Sequence, residues 1–276
     1  PALTSGVKLA SYCLTEPDAG SDAANLKTSA RRDGDDYVLK GSKAFISGAG
    51  STDMLIVMAR TGVAGAKGIS AFAVPADLLG IRYGKKEDKM GWNSQPTRAI
   101  FFDDVRVPAA NRLGEEGEGF RIAMKGLDGG RINIATCSVG AAQGAFNAAQ
   151  RYLGERQQFG KKLADFQALQ FRLADMATEL VAARQMIRLA ASKLDAAAPD
   201  TSIYCAMAKR FATDAGFNIC NEALQLHGGY GYLRDYPLER LLRDARVHQI
   251  LEGTNEIMRV IIARRMLEAD APDSIR

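Results

Sequence analysis

Gly117-Glu118-Gly119 is the point at which the chain changes its period, and reading outward from it in both directions decides the fold. On the C-terminal side, long segments free of proline carry Ala, Leu, Met and Arg at the spacing of amphipathic helices. Helices are expected at about 119 to 152, 166 to 196, 200 to 225, 236 to 245 and 255 to 268. In the second of these, Leu169, Leu173, Met176, Leu180, Ala183, Ile187 and Ala191 make one apolar face. Long helices with short connections imply an up-and-down four-helix bundle. On the N-terminal side, from about Leu9 to Pro108, Gly, Pro, Asp and Asn punctuate short apolar runs that suit strands. The clearest are Asp36 to Leu39, Ala44 to Ser47, Met54 to Ala59, Ser70 to Val74 and Arg98 to Phe102, with Asp33-Gly34-Asp35 as a hairpin signal. The expected fold class is α+β and multi-domain. A small all-β sandwich or barrel over residues 1 to 112 is followed by a helical bundle domain over 113 to 276.

The bulk properties bound the function. At 276 residues the chain has room for about two domains and a sizeable core. Its hydrophobic fraction of 47% and charged fraction of 25% are those of an ordinary soluble protein. Lys plus Arg total 36 against 32 for Asp plus Glu, and the basic residues are scattered, so no nucleic-acid footprint is visible. No apolar run is long enough to span a bilayer and no targeting segment is visible, so no membrane partner is expected. Cys13, Cys137, Cys205 and Cys220 form no C-x-x-C pair and sit among apolar or small residues, as buried free thiols do in a reducing compartment. A bacterial cytoplasm or a mitochondrial matrix fits. The chain starts at Pro1 without a methionine, which leaves room for a segment upstream.

Three places stand out for chemistry. The connections from Leu153 to Ala164 and from Leu226 to Asp235 are unlike ordinary turns, the second holding His227-Gly228-Gly229-Tyr230-Gly231-Tyr232, and such glycine-rich loops let a backbone approach a ligand closely. In Val247-His248-Gln249-Ile250-Leu251-Glu252-Gly253-Thr254-Asn255-Glu256-Ile257, Thr254 is a natural N-cap, so Glu252 stands beside a helix start. A carboxylate in the apolar company of Ile250 and Leu251 has its neutral form favoured, which makes Glu252 a candidate proton abstractor. On these residues alone, a solvated carboxylate near a helix dipole is the competing reading. Other motifs fail. Gly48-Ala49-Gly50-Ser51-Thr52-Asp53 lacks the third glycine of a dinucleotide fingerprint, and Gly154 to Lys162 has the wrong spacing for a P-loop. Two histidines and unpaired cysteines are too few for a zinc site, and no metal is expected. No G-x-S-x-G is present, and His227 and His248 are expected to be hydrogen-bonded structural residues.

Tyr12-Cys13-Leu14-Thr15-Glu16-Pro17 with Ala19-Gly20-Ser21-Asp22, Phe45-Ile46-Ser47, Arg156-Gln157-Gln158-Phe159-Gly160, Gln225-Leu226-His227-Gly228-Gly229 and Glu252-Gly253-Thr254 closely resemble the acyl-CoA dehydrogenase family, in its order and spacing. The resemblance is nearer still to the isobutyryl-CoA branch of that family, through Gly91-Trp92-Asn93-Ser94-Gln95-Pro96-Thr97-Arg98-Ala99, Gly129-Gly130-Arg131-Ile132-Asn133-Ile134-Ala135 and Phe45-Ile46-Ser47-Gly48-Ala49-Gly50. It implies a middle β domain and a C-terminal helical bundle that clasp FAD, in a homotetramer built as a dimer of dimers. The family's N-terminal helical domain is absent from this chain.

By resemblance, the FAD-binding residues are Tyr12, Cys13, Leu14, Thr15, Gly20, Ser21, Phe45, Ile46 and Ser47, then Arg156, Gln157, Gln158, Phe159, Phe166 and Gln167, then Gln225, Leu226, His227, Gly228 and Gly229, and finally Thr254, Asn255 and Glu256. Thr15 and Ser47 give hydroxyl hydrogen bonds to the flavin, and Arg156 reaches the pyrophosphate of a neighbouring subunit's FAD, for which a guanidinium fork is suited. The acyl-CoA substrate is implied to meet Ser21, Asp128, Gly129, Gly130, Arg131, Gly253 and Arg259. Phe45 and Ser47 stand where the family often has Trp and Thr, so an aromatic ring and a hydroxyl are retained. Glu252 is the implied base for the α-proton, while the β-hydride passes to flavin N5, converting isobutyryl-CoA to methacrylyl-CoA, a valine-catabolism step, with electron-transfer flavoprotein as the electron acceptor. Two alternatives stay open: a dehydrogenase for another short or 2-methyl-branched acyl-CoA, and an inactive truncated member acting only through subunit contacts.

Overall fold

The computed structural model describes residues 1–267, which divide into two compact units. The first comprises Pro1–Lys89 and Asn93–Gly126, and the second Met90–Trp92 and the chain from Leu127 onward.

The first unit is built on one eight-stranded sheet: β1 (Ala10–Cys13), β2 (Ser29–Asp33), β3 (Asp36–Ser47), β4 (Met54–Arg60), β5 (Ile69–Pro75), β6 (Ile81–Tyr83), β7 (Thr97–Pro108) and β8 (Arg112–Leu113). Its order is β6-β7-β3-β2-β4-β5-β8, with β1 pairing in parallel along β4 from Ala10 beside Met54 to Cys13 beside Val57. The Asp33-Gly34-Asp35 signal is realised as a two-residue hairpin turn that pairs Asp33 with Asp36, with Gly34 at φ +63°. The two runs expected at Asp36 to Leu39 and Ala44 to Ser47 are one strand, β3, which keeps its partner β7 through two register shifts, after Leu39 and after Lys43. Bulges of this kind bend a strand, and here they hide a continuous element behind an interrupted apolar pattern. Tyr37, Leu39, Leu55, Val57, Phe72, Val74, Ile100, Val105 and Val107, all fully buried, belong to the main hydrophobic cluster of this unit. The strand β2 went unread because Ser29-Ala30-Arg31-Arg32-Asp33 buries only Ala30.

After Gly117 the helical period takes over as expected. α1 (Gly119–Glu155) begins in the first unit, where Gly119 lies so close to β5 that an added Cβ would be 2.3 Å from the Ser70 carbonyl carbon. The second unit contains the rest of α1, the two-stranded hairpin β9 (Gln157–Gln158) and β10 (Lys161–Lys162), α2 (Gln167–Asp195), α3 (Thr201–His227), α4 (Leu238–Arg246) and α5 (Asn255–Met266). Its core is rich in alanine, with Ala135, Ala142, Ala145 and Ala149 of α1 meeting Ala183 and Ala190 of α2 and Ala208, Ala212 and Ala223 of α3. On α2 the buried face runs Met176, Leu180, Ala183, Ile187 and Ala190, so Ala190 ends it rather than Ala191. The 3-4-3 stepping of a packed helix selects the former. Cys13, Cys205 and Cys220 are buried free thiols, but Cys137 is exposed on α1, contrary to the expectation from its small neighbours. No helix among the described residues is long and apolar enough to cross a membrane.

Candidate active site

In the second unit the chain leaves α4 through a 3₁₀ turn at Val247–Gln249 and reaches Glu252, which adopts φ +57°, with Gly253 following at φ +89°. A left-handed pair ends one direction of the chain and starts another, and only tertiary contacts make a β-carbon tolerable there. Thr254 Oγ1 accepts from the Ile257 N–H at 3.3 Å, the N-cap expected from sequence. The Lys209 ammonium, buried on α3, donates to the Gly253 carbonyl at 2.7 Å and to Asn255 Oδ1 at 2.9 Å. Asn255 in turn donates through Nδ2 to Thr213 Oγ1 at 3.0 Å and to Asp214 Oδ1 at 2.7 Å.

The Glu252 carboxylate lies against α1 at Gly130, where an added Cβ would stand 2.5 Å from Oε2 and 2.9 Å from Cδ. Burial pushes the Glu252 carboxyl above the ordinary carboxylate range, opposed by the nearby charges of Arg131 and Lys209. Of the apolar company expected of it, Ile250 is half exposed and Leu251 half-buried. Arg131 is itself buried and pairs with Asp128 at 2.7 Å one turn earlier, while Asp128 accepts a second bond from Ser202 at 2.5 Å. The segment Asp128 to Arg131 therefore presents Gly129 and Gly130 beside a fixed ion pair, and one turn of α1 supplies both the pair and the space for the base.

In the first unit, Tyr12 and Thr15 flank the buried Cys13 and Leu14, and Phe45 and Ser47 flank the buried Ile46. Phe45 is held at φ +56° and its ring is 71% exposed. Beneath these two segments, Lys43 and Glu16 form a fully enclosed ion pair at 2.8 Å. Lys43 also donates to the Leu14 carbonyl at 3.0 Å, and the Ala44 N–H donates to the Thr15 carbonyl at 2.9 Å, so the Tyr12 to Thr15 and Phe45 to Ser47 segments are one braced surface. For Glu16, burial alone would raise the carboxyl; Lys43, together with the hydrogen bonds from Lys43, Thr28 and the Lys27 N–H, outweighs it and holds the group below its ordinary value. Gly20 and Ser21 lie on an exposed turn after the Glu16–Ala19 bridge.

The two unusual loops of the helical unit share one open cleft of about 670 Å³. Arg156, Gln158, Gln225, Leu226, His227, Gly228, Gly229 and Tyr230 line it, as do Tyr152 and Arg172, which the sequence reading did not single out. The Leu153 to Ala164 connection contains the β9–β10 hairpin, whose turn residues Phe159 and Gly160 both have positive φ, as a tight two-residue turn demands. Phe159 is exposed and meets Phe166 edge-on at 6.2 Å. Gln167 starts α2. His227 stacks on Tyr152 at 4.3 Å with Nδ1 2.7 Å from the Ala223 carbonyl, the hydrogen-bonded role expected of it. His248 departs from that expectation: it is buried, yet among the described residues neither ring nitrogen has a partner, and it packs edge-to-face on Trp92 at 4.4 Å. Burial lowers its pKa to about 4, which keeps the ring neutral and lets it serve as an apolar surface.

Some expected site residues are occupied elsewhere. The Asn255 side chain is buried and spent on α3, and Thr254 caps α5. Glu256 is exposed on the first turn of α5, and Arg259 pairs with Asp214 at 3.4 Å and with Glu256 at 3.7 Å. Lys209 was missed; a lysine inside the apolar stretch Ala206-Met207-Ala208-Lys209 was the available signal.

A family model described as the acyl-CoA dehydrogenase C-terminal domain matches residues 117–267, and one for the middle domain of the same family matches residues 11–105. The chain belongs to the acyl-CoA dehydrogenase family. Among acyl-CoA dehydrogenases it is 59% identical over 268 residues to the mitochondrial isobutyryl-CoA dehydrogenase of Bos taurus, covering 97% of this chain and 64% of that relative. The chain thus spans less than two thirds of that relative's length. The solved butyryl-CoA dehydrogenase of Megasphaera elsdenii superposes with a TM-score of 0.95 at 45% identity, over 97% of this chain and 70% of that one. A chain in a solved structure concerning the electron transferring flavoprotein of Acidaminococcus fermentans gives the same TM-score of 0.95 at 46% identity, over 97% and 70%.

Proposed function

We propose that this chain carries the base and the flavin-facing surfaces of a dehydrogenase that converts isobutyryl-CoA to methacrylyl-CoA. The observation that carries the reading is Glu252: a carboxylate desolvated enough to have its pKa raised, at a left-handed turn, against a glycine that leaves room for it. The likeness to an isobutyryl-CoA dehydrogenase supports the acyl group.

The chain's residues fit FAD on two observations. The exposed Phe45 and Ser47 lie on a segment braced against the half-buried Thr15, which offers an aromatic ring and two hydroxyls, and the Arg156 cleft has glycines 228 and 229 with open space where a Cβ would stand. Tyr12 to Thr15, Phe45 to Ser47, Arg156 to Phe159 and Gln225 to Gly229 would hold it. When bound, FAD supplies the acceptor for the β-hydride.

The chain's own part is the proton. A thioester α-hydrogen is a poor acid, so a base must meet it in a dry place and the thioester carbonyl must be held by a donor as charge develops on it. Glu252 takes the α-proton, and its own backbone N–H is the protein donor for the carbonyl. The raised pKa brings the carboxylate closer to a useful basicity, while the charges of Arg131 and Lys209 oppose the rise. The proposed assembly is a homotetramer in which Arg156 reaches a neighbouring subunit's FAD, and electron-transfer flavoprotein is the proposed acceptor, in line with the similarity to a chain in a structure concerning that protein.

Anaerobic titration of the FAD-loaded protein with isobutyryl-CoA, followed by flavin absorbance, tests the reading. Bleaching at stoichiometric substrate is expected, and an unchanged spectrum over a panel of short acyl-CoA thioesters would overturn it. Faster bleaching by a straight-chain or 2-methylbutyryl thioester would retain the chemistry and move the substrate.

A further inference from the structure

We propose that Lys209 is a positioning residue for the base: it clamps the turn that carries Glu252 and, by its charge, keeps Glu252 ionised. This rests on the reading of Glu252 as the base.

Three observations carry it. First, the ammonium donates to the Gly253 carbonyl at 2.7 Å and to Asn255 Oδ1 at 2.9 Å, which ties α3 to the C-terminal side of the left-handed turn at Glu252 and Gly253. A residue at φ +57° holds that conformation only if its neighbours leave it no cheaper one, and the bond to the Gly253 carbonyl fixes the Gly253–Thr254 peptide that follows the turn. Second, both partners are neutral. Asp214, the nearest acid on α3, is spent on Asn255 Nδ2 at 2.7 Å and on Gln249 Nε2 at 2.8 Å. A buried ammonium with only neutral acceptors keeps its field, and a glutamine could have made the same bonds with far less desolvation. Third, the charge is felt at Glu252. The groups acting on Lys209 are Asp214 on α3, Glu252, Glu256 on α5 and Arg131 on α1; burial brings its pKa down to about 8, against the carboxylates. Reciprocally, Arg131 first and Lys209 second are the charges that pull Glu252 down against its own burial.

A purely structural lysine would be needed for folding and nothing else. A positioning one separates from that in two readouts. The first is the titration midpoint of the Glu252 carboxyl, measured by carbon NMR on protein with carboxyl-labelled glutamate, with the resonance assigned by its loss in Glu252→Gln. The second is kcat against KM for isobutyryl-CoA in the FAD-loaded enzyme. In Lys209→Met the Glu252 midpoint should rise by roughly one pH unit, as expected for loss of a nearby opposite charge. The acidic limb of the kcat profile should move with it, and kcat should fall by about 10-fold or more with KM nearly constant, the sign of a misplaced base. Lys209→Gln keeps a donor for the Gly253 carbonyl and removes the charge, so it should show the same midpoint shift with a smaller loss of kcat. It also serves if the methionine variant does not fold. A folded variant of either kind with an unmoved Glu252 midpoint would overturn the proposal while Glu252→Gln remains inactive. An active Glu252→Gln would instead remove the reading on which it rests.

Discussion

Gly130→Ala is the sharpest test of where the base sits. An alanine Cβ on α1 would stand 2.5 Å from Glu252 Oε2 and 2.9 Å from its Cδ. Ordinary contact begins at about 3.5 Å, so the carboxylate must retreat by about 1 Å. A displacement of that size at a reacting group costs on the order of 100-fold in kcat. The fold should not suffer: the contact is with the end of a flexible side chain, and alanine in a helix interior is favoured over glycine by about 0.5–1 kcal/mol. The expected result is therefore a lower rate in a protein that melts at the same temperature or higher. Gly126→Ala, on the same helix with nothing within 4 Å of its added Cβ, is the control for helix propensity alone. Stopped-flow reduction of the bound flavin by isobutyryl-CoA reads the rate, and calorimetry reads the melt. A Gly130→Ala rate equal to that of Gly126→Ala would refute the placement of Glu252 as the acting base.

Glu252→Gln should keep the fold and FAD while flavin reduction falls by about two to four orders of magnitude, measured in the same stopped-flow assay. Arg156→Ala should weaken FAD retention and assembly together, read by flavin fluorescence on dilution and by analytical ultracentrifugation; unchanged values for both would detach the Arg156 cleft from the cofactor. Lys43→Met leaves Glu16 buried without its partner and should cost about 3–5 kcal/mol in urea unfolding. In the parent, the Glu16 carboxyl lies below its unfolded value, so its contribution is complete above the unfolded pKa and is lost as pH falls through the folded one; Lys43→Met should flatten that acid dependence.

How much of this was legible in the sequence depends on how local the signal was. The helices were read to within about three residues at each end, apart from the expected end at 268, which lies outside the described residues, because α1, α2 and α3 carry unbroken apolar periodicity, and Thr254 announced the start of α5. Strand β3 was split because its continuity depends on bulges paired with β7, which a period-two pattern cannot register. At the site, Glu252 and its loop were readable as a motif, but the reason for its pKa was not. Gly130, Arg131 and Lys209 are over 40 residues away in sequence and are brought to it by α1 and α3. The enclosed Glu16–Lys43 pair was likewise hidden, since two charged residues 27 apart look like solvated surface until folding puts them together.

Six residues other than glycine adopt positive φ among the described residues: Phe45, Trp92, Asp104, Phe159, Ala197 and Glu252. Three of them, Phe45, Phe159 and Glu252, are residues assigned to cofactor or base, and Trp92 packs on His248. Each β-carbon in that region costs about 1–2 kcal/mol that glycine would not incur. A search for thermostable variants that scored melting temperature alone would therefore drift toward glycine at the positions proposed to hold the cofactor and to act as the base.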